Sequence, residues 1–447
     1  MEDKGLAATR RIAEWTIREA RRRGADEAAA EVSHDAGLSV TVRMGKAEAV
    51  EHTEERVLTL SVWVGHRRGV ASTADLSEGA IAQAVQAAVD IARATEEDPC
   101  AGLPDERDLQ TEFRELDLWH PFEGGADEAI AYAARAEEAA MNFDERIVNS
   151  EGTQFDTSSG AFTLANTLGF SAGYRYSRHD LDVAPLAQDE SGMERDGWSS
   201  QGRDLRAMPP PEAVGRKAAE RTVARLGAAP MGSRRARVLF DANASAGLLD
   251  VLEELMSGSA WYRNASFLKG KMGEQILPPF VSVKEEPYIK GGLGSGVFDD
   301  EGCAAHERLV IEEGRLRGLF LTSYSARRLG MRTSGNAGGA YKLTLESSET
   351  RPEDSFEEML ARLGTGMLVT ELIGQGVNAV TGDYSRGFSG FWVENGRIAA
   401  PVEGMTIAGS LGRMMRSIEA VGADVLDDGC RRTGSILIPG LTLAGED

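Results

Sequence analysis

The sequence predicts an α+β fold in several parts: antiparallel sheets flanked by helices, with a β-rich carboxy-terminal domain. Three observations carry that expectation. Apolar residues recur with the 3.6-residue period of a helix in some stretches and alternate with period two in others. Short glycine-bearing turns join the alternating stretches, as antiparallel hairpins require. At 447 residues, with 42% hydrophobic and 27% charged side chains, the chain can pack a sizeable core in two to four domains of about 100–200 residues each.

Residues 1–118 read as an amino-terminal α+β domain. A helix over about Leu6–Arg23 places Ile12, Trp15, Thr16 and Ala20 on one face, and Gly24 ends it as a left-handed cap. Leu38, Val40 and Val42 alternate, as does Val57–Val64, with turns at Met44-Gly45-Lys46 and Gly65–Gly69. A second helix covers about Ser77–Thr95, with Asp75 and Glu78 spaced as a capping box, and Pro99–Pro104 reads as a linker. Residues 119–230 form a central α+β domain. Its helix at about Asp127–Asn142 precedes β-type residues at Phe162, Leu164, Gly173–Tyr176 and Leu181–Leu186. Pro209-Pro210-Pro211 then introduces a helix over Glu212–Leu226, because a first-turn proline lacks only an N–H that would be unpaired there anyway. Residues 231–447 form the largest domain. It holds a strand at Arg237–Phe240, an amphipathic helix at Asn243–Ser257, and hairpins at Leu309–Leu316 and Phe391–Ile398. Asn395-Gly396 is the strongest of the turn signals.

Charge narrows the partners. Forty-nine basic residues against 71 acidic ones give a net charge of −22, so a phosphate-coated surface meets repulsion. Neither nucleic acid nor an anionic membrane is an expected direct partner. No apolar run reaches the roughly 20 residues of a membrane span, and Met1–Lys4 opens without the apolar stretch of a secretion signal. Cys100, Cys303 and Cys430 are too few and too far apart for a disulfide framework. These features place the chain in the cytoplasm as an expectation.

Chemistry-bearing motifs are sparse. Six histidines form no helical pair one turn apart, so no helical zinc site of the usual kind is spelled out. Ser266-Phe267-Leu268-Lys269 matches S-x-x-K and Ser334-Gly335-Asn336 resembles S-x-N, but the K-T-G element of a serine acyltransferase is missing. Gly291-Gly292-Leu293-Gly294-Ser295-Gly296 fits no phosphate-loop pattern and reads as a flexible loop or a surface for close backbone contact. The run Asp299-Asp300-Glu301 offers hard-cation ligands, with an exposed turn as the plainer reading. Cys430 precedes Arg431 and Arg432, which would favour a thiolate, although a buried or incidental thiol is the commoner case.

Several longer segments carry a resemblance. They are Ser266-Phe267-Leu268, Phe298–Gly302, Thr322–Arg327, Thr333–Asn336, Gly382–Gly396 and Ile407–Leu411, with Ser150-Glu151-Gly152 and Met193–Trp198 in the central part. On these residues the chain resembles the TldD/PmbA family, also labelled the modulator of DNA gyrase family, and within it the TldE (PmbA) branch. The likeness runs from about residue 30 to the carboxy terminus.

The resemblance implies one half of a two-subunit zinc metalloprotease that trims or degrades unfolded peptides. A TldD-like partner would bring an HExxxH helix and a cysteine as third zinc ligand. Here the corresponding helix is Gly247–Leu255, so the two histidine positions hold Asp250 and Leu255, and the glutamate position holds Val251. Valine is no general base and leucine is no ligand. Cys430 falls near the third-ligand position as a remnant. The resemblance therefore implies no catalytic and no metal residue in this chain, no cofactor of its own, and zinc in the partner. Gly291, Gly292, Gly294 and Gly296 are the candidates for peptide contact. The alternatives are a homodimeric peptide-binding protein and a gyrase-associated regulator, both without catalysis.

Overall fold

The computed structural model describes residues 4–445. Met1–Asp3, which carry most of the reading of the leader, lie outside the described residues, as do Glu446 and Asp447. The chain is α+β with mainly antiparallel sheets, as the patterning predicts.

One antiparallel sheet occupies the amino-terminal half. Its strands run in the spatial order Arg67–Thr73, Lys46–Val64, Glu27–Arg43, Ile147–Asn166, Ser171–Asp189 and Gly192–Arg195, with Trp198–Gly202 also on Ser171–Asp189. Glu27–Arg43 pairs with Ile147–Asn166 from Ala29↔Asn166 to Val42↔Thr153, so a single sheet crosses residue 118. These strands are much longer than the expected segments around Leu38–Val42 and Phe162–Leu164. The period-two pattern is masked in sequence by alanines and by polar residues such as Thr163 that are nonetheless buried. Ala28, Ala30 and Val32 lie under the helices Lys4–Arg22 and Glu78–Ala94. Leu38, Val40 and Val42, farther along the same strand and on the same face, lie under Ala126–Met141 and Pro211–Ala224.

Local signals mostly hold. Gly24 ends the first helix at φ +94°, and Pro211 sits in the first turn of its helix. The capping box expected at Asp75 and Glu78 is corrected: Ser77 is the cap, its hydroxyl accepting from Ala80 N at 3.4 Å. Asp75 instead accepts from Ser77 N at 2.9 Å and shapes the approach. Asn395 and Gly396 both have positive φ, 51° and 75°, the conformation that joins the strands Asp383–Glu394 and Arg397–Ser410.

The carboxy-terminal half carries two sheets. In one, Gly366–Ile373 pairs in parallel with Arg234–Phe240 and antiparallel with Asp383–Glu394. Ile436–Ala444 and Arg397–Ser410 complete a closed ring of strands. The other sheet is ordered Arg315–Leu316, Arg308–Glu312, Val281–Glu286, Lys342–Ser347, Arg431–Thr433 and Leu426–Asp428. Its pairing of Lys342–Ser347 with Arg431–Thr433 is again parallel, because a long excursion of the chain separates the two strands. The helix Ala242–Met256 packs its leucines into the core that these sheets share. The two halves meet at an apolar seam that includes Leu118, Leu164, Phe170 and Phe298. Phe298 stands edge-on to Phe170 at 5.2 Å and to Tyr174 at 5.6 Å. No described helix is long and apolar enough to cross a membrane.

Candidate functional site

The helix Ala242–Met256 follows directly on the strand Arg234–Phe240. Asp241 caps it, accepting from Ala244 N at 2.7 Å. Leu248, Leu249, Leu252, Leu255 and Met256 are buried, at the i, i+3, i+4 spacing of an inward stripe. Leu255 is 0% exposed. Its carbonyl accepts from Trp261 Nε1 at 3.0 Å and from Ser266 Oγ at 2.7 Å. Val251, nearly buried, lines a polar cleft of about 590 Å³ with Asn243, Glu254, Glu371 and Arg386. Asp250 projects into solvent, one turn from Glu253.

Both of these acids meet one guanidinium. Arg431 Nε donates to Asp250 Oδ1 at 2.8 Å, and Arg431 Nη2 donates to Glu253. The strand Arg431–Thr433 brings this arginine to the helix through its pairing with Lys342–Ser347, and Leu343 N donates to the carbonyl of Cys430 at 2.9 Å. Glu253 also accepts from Ala340 N at 2.6 Å. A partly exposed, charge-assisted fork therefore ties the strand after Cys430 to the helix. Cys430 itself is exposed, not buried.

This donor set does not fit a zinc ion. Zinc asks for about three or four nitrogen, sulfur or oxygen ligands. Two of the three helix positions are hydrocarbon, the third is bound to arginine, and a single exposed thiol is left. The cation beside this helix is a guanidinium of the chain itself.

Other sequence candidates separate in space. Ser266 and Lys269 do not pair: the serine hydroxyl is spent on Leu255 and the ammonium contacts Asn264. Asn336 of the Thr333–Asn336 motif donates to the buried Glu285 at 2.6 Å and accepts from Arg308 at 2.9 Å. That network is structural. Asp299 is 3% exposed, which corrects the exposed-turn reading for that residue alone; Asp300 is exposed and, with Glu301, lies in a turn as expected. It accepts from the backbone N–H groups of Glu301, Cys303 and Ala337 at 3.0, 2.7 and 3.0 Å. Burial and the Glu301 charge still push its carboxyl up to about 7. Asp299, Glu301 and Cys303 bring ligand atoms within 4.8 Å of one another. Two of the three are already engaged by the chain: Asp299 by those three N–H groups, and Glu301 by Ser323 N at 2.8 Å.

The glycine run is held by the chain itself. Arg203 donates to the carbonyls of Gly292 and Leu293 at 3.0 and 3.1 Å. A Cβ on Gly294 would stand 3.0 Å from Lys342 N, and one on Gly296 would stand 2.8 Å from the Tyr341 ring. Gly292 likewise faces Ser295 Oγ. Gly291, at φ +67°, borders an open cleft beside His120, Trp198 and Lys290.

A site the sequence did not signal lies between the two halves. The walls of this cleft, of about 670 Å³, include Glu31, Trp63 and Arg68 on one side and Asp300, Tyr324 and Arg328 on the other. Burial and the nearby Asp300 charge push the Glu31 carboxyl up to about 7. No local pattern marks it, because Glu31 and Asp300 are 269 positions apart and meet only through the seam at Phe298.

Comparison with known proteins agrees with this architecture. Domain models of the PmbA/TldA metallopeptidase family match residues 28–92 (domain 1), 119–226 (central domain) and 233–445 (carboxy-terminal domain). A protein named Metalloprotease PmbA from Escherichia coli O157:H7 is 43% identical over 94% of this chain and 93% of its own length. A Bacteroides thetaiotaomicron structure, described as a candidate modulator of DNA gyrase, superposes with a TM-score of 0.92 over 100% of both chains at 24% identity. TldE from Thermococcus kodakarensis superposes with a TM-score of 0.84, covering 97% of this chain and 100% of that one at 19% identity. At these identities the two structures speak for the fold, and the sequence matches speak for descent: the chain belongs to the PmbA/TldD metallopeptidase family.

Proposed function

We propose that this chain is the TldE (PmbA)-type half of a two-chain zinc metalloprotease acting on unfolded peptides. A TldD-like HExxxH subunit supplies the zinc and the general base, and this chain supplies the facing wall of the chamber. One observation carries the reading. At the three helix positions where such a partner needs ligands and base, this chain has Asp250, Val251 and Leu255, with Asp250 already bound by Arg431. A metal-activated water needs an open coordination position and a nearby base. Neither can be built from valine, leucine and an occupied carboxylate. The same folded helix is nevertheless kept, as expected of a subunit whose task is shape rather than chemistry.

Extended peptide would enter by strand addition, with backbone hydrogen bonds giving affinity without sequence demand. Of the four glycines, Gly291 offers open space for a close approach. The net charge of −22 speaks for peptide rather than nucleic acid as the partner, and the reading places the complex in the cytoplasm.

The test mixes this chain with a purified TldD-like chain and a denatured peptide. Cleavage should require both chains and stop with EDTA or on replacing the partner's glutamate. It should persist with Cys430→Ser in this chain. Cleavage by this chain alone, with a chelator-resistant zinc in it, overturns the reading, and so does full activity of the partner alone.

A further inference from the structure

The cleft between the two halves holds charge that the chain does not balance. Ala29, Glu31, Ser61 and Trp63 lie on the sheet face opposite the helices, since Ala28, Ala30, Leu60 and Val62 face the helix layer. Across from them stand Asp300 and Glu301, with the helix Ser323–Leu329 behind. The walls are fixed. Tyr324 donates to Asp98 at 2.7 Å, and Arg327 donates to the carbonyls of Cys100 and Gly102 at 3.2 Å each. The cleft is therefore a preformed space rather than a gap between loose parts.

Its carboxylates differ in what they do. Asp98 is held by Tyr324 and by Cys100 N, and Glu301 by Ser323 N. Among the described residues, neither the Glu31 nor the Asp300 carboxylate has a hydrogen bond or an ion pair. Two guanidiniums line the same cleft without an ion pair to either acid: Arg68 donates to Ser61 at 3.0 Å, lies 5.8 Å from the Trp63 ring and offsets the Glu31 charge only in part, and Arg328 lies 5.6 Å from the ring of Tyr262. A second, independent vacancy is neutral. Trp63, 7% exposed in the cleft wall, has an indole Nε1–H with no acceptor in the protein. A buried donor left unpaired costs about 1–3 kcal/mol, so it asks for an acceptor from outside the chain.

We propose that this cleft binds a basic residue of the peptide substrate. The ammonium or guanidinium lies between Glu31 and Asp300, and a peptide carbonyl accepts from Trp63 Nε1. The inference rests on the peptide-substrate reading above and names the substrate preference it would bring. The cation neutralises two carboxylates at once, and the carbonyl pairs the buried indole donor that the walls leave without an acceptor. A free metal ion would satisfy the acids but not the indole. An acidic peptide would satisfy the indole but meet the acids.

Calorimetry on the full chain alone tests this at physiological salt. The probes are capped tripeptides differing only at the centre: lysine, its neutral isostere norleucine, and glutamate. The lysine peptide should bind at least tenfold tighter than the norleucine peptide, and the glutamate peptide more weakly still. Glu31→Gln combined with Asp300→Asn should erase the preference for lysine. Trp63→Phe should weaken lysine and norleucine peptides by the same factor. Glu51→Gln, in the exposed first half of the strand Lys46–Val64, should change nothing, which separates the cleft from the general pull of an acidic protein. Circular dichroism confirms that each variant is folded. Equal affinity for lysine and norleucine peptides, or an equal loss from Glu51→Gln, overturns the proposal. Because no partner chain or cleavage enters this experiment, its failure leaves the two-chain reading standing, and failure of the mixing experiment leaves a measured lysine preference standing.

Discussion

The helix face at Asp250 and the interdomain cleft at Glu31 each place two acids close together, yet the fold treats them oppositely. At the helix, one arginine answers both Asp250 and Glu253, and hydrocarbon fills the positions beside them. In the cleft, two acids have no ion-pair partner, Arg68 offsetting Glu31 only in part, and a buried indole N–H lacks an acceptor. A satisfied charge pair has no free valence for a ligand. An unsatisfied one stores a cost that a ligand can remove. At the helix positions the proposed function turns on, the carboxylates are already paired. In the cleft, where resemblance is silent, Glu31 and Asp300 are not.

The sharpest way to break the first half of this comparison is to return a histidine to the helix. Leu255→His should not create a metal site, because Leu255 is fully buried in the core and Val251 still offers no ligand. It should cost about 3–5 kcal/mol, the range for losing a buried leucine and desolvating a polar ring. Urea denaturation measures this. A variant of wild-type stability that binds zinc tightly would show that the helix is only a few atoms from being a metal centre.

Arg431→Ala probes the closure itself. It leaves Asp250 and Glu253 one turn apart with no counter-charge, and Glu253 is largely buried. Asp250 is mostly solvated, so the loss should be about 2 kcal/mol rather than that of a fully buried pair. Raising the salt concentration should shrink the difference. No loss of stability would mean that the fork is incidental.

How much of this was visible in the sequence follows from the range of each interaction. The helix Ala242–Met256, the turn at Asn395-Gly396 and the glycine cap at Gly24 are set by neighbours within a few residues, and periodicity finds them. The register proposed for Asp250, Val251 and Leu255 rests on the long family-like segments, since no local pattern in these residues suggests it. Arg431 was noticed only for its effect on Cys430. Its true partners lie 181 and 178 residues away and depend on a parallel strand pairing. In the run Asp299-Asp300-Glu301, which reads as exposed because acids usually are, only Asp299 is buried. The three N–H groups that bury Asp299 come from its own tight turn and from Ala337. Glu31 gave no signal at all, being one acid in a strand whose neighbours in space come from the other half of the chain.

The smallest expected effect has the opposite sign to the others, and it tests the open half of the comparison. Burial and Asp300 raise the Glu31 carboxyl from about 4.5 to about 7 in the folded chain, against the partial relief of Arg68. A raised carboxyl pKa means that the folded state holds its proton more tightly than the unfolded state. The ionised group therefore opposes folding. That penalty is absent below about pH 4.5, grows between about 4.5 and 7, and is complete above about 7. Glu31→Gln removes it. The variant should match the parent at pH 4.5 and exceed it at pH 8, by about 1 kcal/mol. This is less than the ~3 kcal/mol a shift of that size allows, because the amide must itself be desolvated without a partner. Thermal melts at the two pH values decide it. Asp300→Asn should move stability in the same direction, since burial and Glu301 raise that carboxyl too. A Glu31→Gln chain less stable than the parent at pH 8 would mean that the carboxylate already has a partner, and the cleft would then be as closed as the helix.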